Sequence, residues 1–172
     1  MKRTAFILIA LALVTFTASA QNPASITLSS TVTAYADGDK IGTALFVTNV
    51  NTFGDDYTGF IESIDATVDS VFTGAIEFMA LWDTTGVMQY LAADNAAFVL
   101  TSGIRAKRIG SITVNFTNGT TYSYGNSGSW FKKYRLNAGK KIYWIPIARS
   151  AYTYKQTGSI QLTPWYEENG KR

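Results

Sequence analysis

Apolar residues recur at every second position in short runs along this chain, and turn-forming residues stop each run after about ten positions. A strand points successive side chains to opposite faces, so a period of two means one buried face and one wet face. Residues 25–34 alternate through Ile26, Leu28 and Val32, with a break at Ser30. Residues 60–69 put Phe60, Ile64, Ala66 and Val68 on one face, with Ile61 out of phase. Residues 109–116 and 120–124 alternate on either side of Thr117-Asn118-Gly119. Asn-Gly between alternating runs is a strong hairpin cue, because both residues tolerate positive φ. Further strands are expected at 40–49, 130–136, 141–148 and 159–165. Residues 71–82 are mostly apolar and read as a strand buried on both faces. Helix is the rival there, since Ala, Glu, Met and Leu favour it. Only residues 92–108 lack clear alternation, and Asp94 is placed to cap a short helical turn. The expectation is all-β: a single antiparallel β-sandwich or jelly-roll-like domain of about eight or nine strands over residues 21–166, with 167–172 as a flexible tail.

The 172 residues include neither Cys nor His. That excludes disulfides, thiolate or imidazole metal sites, and nucleophilic pairs that need a thiol or an imidazole base. Carboxylates remain. Glycoside hydrolysis needs two of them facing across one bond. Glu62 and Asp65 have odd spacing on a strand, which sends them to opposite faces. Asp37-Gly38-Asp39 has two of the oxygen ligands a calcium loop uses but lacks the later ones, and it sits where a hairpin turn is wanted. Asp55-Asp56 is a similarly weak candidate. No enzyme activity, metal or cofactor is expected.

Residues 1–20 carry a different pattern. Lys2 and Arg3 precede an apolar run over 5–16 broken only by Thr15, and Ala18-Ser19-Ala20 leads to Gln21. A basic end, a short apolar helix and small residues at a cut site make a secretory signal, with cleavage between Ala20 and Gln21. The run is shorter than the roughly 20 residues a bilayer span needs, so no stable membrane span is expected once it is removed. The alternative is a retained apolar arm. Cleavage would leave 172 − 20 = 152 residues and a charge of 13 − 12 = +1, since Lys2 and Arg3 depart and no acid does. An exported, extracellular or periplasmic protein follows if the cut is made.

Aromatic residues make up 14% of the chain, enough to ask what they contact. Trp130, Tyr134, Tyr143, Trp144 and Trp165 are candidates for subunit interfaces or for a glycan-stacking platform. Lys132, Lys133, Arg135, Lys140 and Lys141 lie among the first four of these, as in single-strand nucleic-acid binders. An alternating strand with a wet face looks the same, and a near-neutral mature charge speaks against nucleic acid. Arg105, Lys107 and Arg108 form a compact basic cluster that suits an acidic neighbouring subunit, or simply solvent.

Several short motifs carry a resemblance. Residues 26–42 read I-T-L-S-S-T-V-T-A-Y-A-D-G-D-K-I-G; residues 59–69 hold an I-x-S-I core; residues 77–83 end in L-W-D. Asp94-Asn95-Ala96-Ala97-Phe98 and Ile109-Gly110-Ser111-Ile112 follow, then the last strand at 159–164. In this order they resemble a family of small β-sandwich structural proteins of tailed bacteriophages, over roughly residues 26–164. The resemblance implies a virion component of the head-decoration or accessory kind. Its partners would be protein subunits, either copies of itself or a capsid, and it carries over no catalytic residues. It also implies a structural role for Asp94–Phe98, as a turn pinning a loop between strands. From the residues alone, an exported module that binds a glycan is the other reading.

Overall fold

A computed structural model gives the fold, and describes residues 24–27, 34–42, 45–48, 57–68, 72–85, 87–118, 123–130, 132–136, 141–151 and 159–169. Its strands are β1 (Ala24–Thr27), β2 (Phe46–Thr48), β3 (Tyr57–Val68), β4 (Gly74–Leu81), β5 (Arg108–Asn118), β6 (Ser123–Asn126), β7 (Lys132–Leu136), β8 (Ile142–Ala148) and β9 (Ser159–Asn169). One short helix, α1 (Ser102–Lys107), and a 3-10 turn over Met88–Tyr90 lie between β4 and β5. The signal-like segment 1–20, its Ala20-Gln21 junction and Asp55-Asp56 lie outside the described residues.

All strand pairs are antiparallel, as the alternation requires. They form one sheet in the order β1-β9-β3-β6-β5-β4-β8-β2, with β7 paired to β3. β9 runs along most of β3, so β6 and β7 share the opposite edge, at Asp65–Val68 and Tyr57–Ile61. β1 and β2, at the two ends of the order, approach one another, so the sheet is nearly closed and barrel-like. Curling the sheet this way covers the edges that an open sheet would expose. Among the described residues, β5 has no ladder partner beyond β6 on the side facing β7.

Two features differ from the alternation. A bulge between Ile61 and Ser63 shifts β3 by one residue. Ile61 and Ile64 are therefore both fully buried, and Phe60 is only half-buried. An extra residue in one strand resets which side chains face inward. The odd spacing of Glu62 and Asp65 thus no longer assigns them to opposite faces. At the other end of the chain, β9 continues to Asn169, opposite Thr58, so strand pairing extends into the segment expected to fray.

The apolar run at 74–81 is a strand with both faces covered. Ile76, Phe78 and Ala80 join the barrel interior, with Val114, Phe116 and Trp144. Met79 and Leu81 point outward and meet Val87, Ile104, Ile145 and Ile147 in a second apolar cluster. The excursion between β4 and β5 supplies Val87 and Ile104, which explains the missing alternation there. Burying each large aliphatic side chain contributes about 1.5–3 kcal/mol, so this outer layer is part of the fold rather than an appendage. α1 is capped by Thr101, whose hydroxyl accepts from the Ile104 amide at 3.3 Å. Asp94 is not a helix cap, contrary to expectation; its role is described below.

Candidate functional site

The five aromatic candidates separate by burial. Trp144 and Tyr134 are 0% and 4% exposed, so neither can stack a ligand from solution. Trp144 donates its indole N–H to Thr48 Oγ1 at 3.3 Å, and Thr48 Oγ1 lies 2.7 Å from the Tyr166 hydroxyl. This chain of polar groups joins β8, β2 and β9 inside the barrel. Burial pushes the Tyr166 hydroxyl well above the ordinary tyrosine range, although Thr48 and Trp144 act the other way. Tyr134 packs edge-on against Tyr166, with ring centres 5.9 Å apart. Tyr143 is half-buried against the second apolar cluster. Trp130 and Trp165 are also half-buried.

Trp165 belongs to a polar knot on the outer face that the sequence did not reveal. Asp65 accepts from the Trp165 indole at 2.6 Å, from the Tyr124 hydroxyl at 2.8 Å and from the Asn126 amide. β9, β3 and β6 are tied together at this point. Partial burial pushes the Asp65 carboxyl up, but hydrogen bonds from Asn126, Trp165 and Tyr124 outweigh it and hold it below the ordinary 3.8. The folded chain therefore takes up this proton less readily than the unfolded chain. The stabilisation is complete above the ordinary pKa and is lost as pH falls through the lower, folded value. The melting temperature of Asp65→Asn should thus depend less on pH than that of the wild type between about pH 5 and about pH 2. Parallel acid melting curves would contradict this.

The basic cluster also divides. The Lys107 ammonium lies 3.2 Å from Asp83 Oδ2 and 4.1 Å from the centre of the Trp82 ring. It is held by that ion pair and cation–π contact. Arg105 and Arg108 instead face an open cleft of about 340 Å³, which they line with Ile109, Gly110, Ser111, Trp130 and Lys132. The cleft lies where the first residues of β5 run past β7 without a ladder. Arg108 Nη2 donates to Ser111 Oγ at 2.6 Å at its rim.

A third grouping joins the Asp94–Phe98 turn to a buried lysine that no sequence pattern marks. Lys40 is 1% exposed, and its ammonium donates to the Gly42 carbonyl. Asp94 Oδ1 accepts from the Tyr35 hydroxyl and from the Gly42 amide, each at 2.6 Å. Burial pushes the Lys40 ammonium down, and the Asp94 charge pulls it back up. Burial and the Asp94 hydrogen bond together push the Tyr35 hydroxyl far up. Main-chain bonds complete the clasp: the Lys40 amide donates to the Ala96 carbonyl at 3.0 Å, and the Asn95 amide to the Lys40 carbonyl at 2.9 Å. The Asp94–Phe98 segment is therefore tied laterally to residues 35–42, which in turn bond to β8. Asp37-Gly38-Asp39 is turn chemistry: the Asp39 amide donates to the Ala36 carbonyl at 3.2 Å, and Gly38 has φ 95°, as the third position of such a turn demands. Asp37 pairs with Arg149 at 3.5 Å.

Among the described residues, no three Asp or Glu side chains gather to hold a metal ion. No described helix is long and apolar enough to cross a membrane. Compared with protein-family models and with curated proteins, the chain matches none of them.

Proposed function

We propose that this protein is a non-enzymatic structural component that acts through contacts between protein subunits, with a virion as its setting and a capsid or further copies of itself as partners. The motif order described above supports the virion setting. One structural observation carries the contact role: an apolar outer layer is left partly open over β4 and β8. Val99 is 64% exposed, between Phe98 and Leu100, which both pack on the second cluster. Met88 is 54% exposed beside buried Val87, and Val47 is 43% exposed opposite Tyr143. Leu45 and Leu91 border the same cluster. Scattered exposed apolar side chains need no explanation, but several around one cluster mark an interaction surface. A neighbour seated there would withdraw that surface from water and gain the burial free energy.

The test uses Met88→Lys and Val99→Lys. Both sites are exposed, so the fold should survive unchanged. Each substitution should weaken self-association or capsid binding about tenfold, as expected when a contact residue is lost. Sedimentation profiles identical to the wild type would refute the assignment of this face. If residues 1–20 are removed, the mature chain starts at Gln21, and sequencing the native N-terminus decides between an exported protein and a retained arm. The second reading, an exported carbohydrate-binding module, draws on the Trp130 cleft, because Trp144 and Tyr134 are buried.

A further inference from the structure

We propose that the Trp130 cleft binds a negatively charged sugar, a ring bearing a carboxylate or a sulfate. The proposal deepens the carbohydrate reading and is independent of the contact face over β4 and β8. Three cations reach the cleft from three elements: Arg105 from α1, Arg108 from the start of β5, and Lys132 from the start of β7. Among the described residues, no carboxylate lines it. Among the described residues, neither Arg105 nor Lys132 takes part in a salt bridge. Arg108 is aimed by Ser111 and feels Glu77, but the Glu77 carboxylate is already engaged by Arg149, whose Nε donates to it at 2.8 Å. Glu77, which also bonds the cleft residue Ser111, therefore offsets part of the Arg108 charge, and the excess positive charge of the cleft rests on Arg105 and Lys132.

Its aromatic wall is fixed in place. The Trp130 amide donates to the Glu62 carbonyl at 2.6 Å, and its ring lies 6.2 Å from that of buried Trp144. On the β5 side, Gly110 makes room for it: a Cβ there would come within 2.9 Å of the Trp130 ring. A half-exposed indole held this way offers an apolar surface to the C–H groups of a sugar ring, while the cations fix an anionic substituent.

The size and surroundings favour one compact anionic ring over a nucleic-acid strand. A strand needs several stacking platforms along a basic track. The outward-facing Tyr124 and Trp165 are both bonded to the Asp65 carboxylate, which would repel a phosphate chain. A volume of 340 Å³ matches the lower end of small-ligand sites.

The experiment follows the indole N–H signal of Trp130 by NMR, identified by its loss in Trp130→Phe, during titration of the protein. The probes are D-glucuronate, D-glucose 6-sulfate, D-glucose, inorganic sulfate and an oligothymidylate. Either charged sugar should shift this signal and bind at least about tenfold more tightly than glucose or sulfate. Binding of the first alone assigns a carboxylate-bearing ring, and of the second alone a sulfated one. Arg108→Ala and Lys132→Ala should each weaken binding about tenfold, as expected for loss of one charged hydrogen bond. The proposal is overturned if glucose or sulfate binds as well as the charged sugars, if oligothymidylate binds more tightly, or if no probe moves the signal. Met88→Lys and Val99→Lys lie elsewhere and should leave these affinities unchanged, so a failure here and a failure of the contact reading can be told apart.

Discussion

Asp94→Ala should lower the unfolding free energy by about 2–5 kcal/mol, because Asp94 Oδ1 is the acceptor for two part-buried donors and its charge favours the buried Lys40 ammonium. Lys40 is buried among backbone groups, and Asp94 is the negative charge that offsets its desolvation. The substitution also strips the Tyr35 hydroxyl and the Gly42 amide of an acceptor. Each of these two hydrogen bonds lost costs about 1–3 kcal/mol, which keeps the total at several kcal/mol even if the Lys40 ammonium gives up its proton. The pairing has a second consequence. Lys40→Met combined with Asp94→Ala should be more stable than Asp94→Ala alone, because no buried charge is then left over. Urea unfolding of the three variants measures this directly. A loss below about 1 kcal/mol for Asp94→Ala would show that the clasp between residues 35–42 and 94–98 is incidental.

Trp144→Ala is expected to cost a similar amount, about 3–5 kcal/mol, for a different reason. Its side chain is fully buried and fills the barrel between β8, β2 and the Trp130 ring. Removing it leaves a cavity and deprives Thr48 of a donor. Thr48→Val keeps the volume and loses the polar links to Trp144, Tyr166 and the Ile142 carbonyl, so it should cost less, about 1–3 kcal/mol. The order of these two losses distinguishes packing from hydrogen bonding as the main contribution at this point. Trp144→Ala should also loosen Trp130, which rests against it.

The strands were legible because a half-buried strand repeats with period two, and β5, β8 and β9 begin within a residue of where the alternation puts them. The bulge in β3 was not legible: Ile61 stood out of phase, but a single out-of-phase residue carries no sign of the extra residue beside it. The aromatic candidates could not be ranked from sequence. Trp144 and Trp130 sit in similar strings, yet one faces the interior and the other the cleft, and only the curl of the sheet decides which. Lys40 was overlooked because lysine is almost never fully buried, so position in a turn region argued for exposure. Asp94, whose charge favours the Lys40 ammonium, lies 54 positions away (94 − 40), beyond the reach of any local pattern. Arg105, Arg108 and Trp130 were each singled out, but their convergence with Lys132 depends on β5 and β7 running side by side without a ladder, which no spacing encodes.

The central claim is that this domain works by contact with other protein subunits. Sedimentation velocity of the chain from Gln21 onward, run over a rising concentration series with and without capsids, tests it most directly. The account predicts either a sedimentation coefficient that climbs with concentration or co-sedimentation with capsids. A single monomeric species at every concentration, left in the supernatant when capsids pellet, would contradict it.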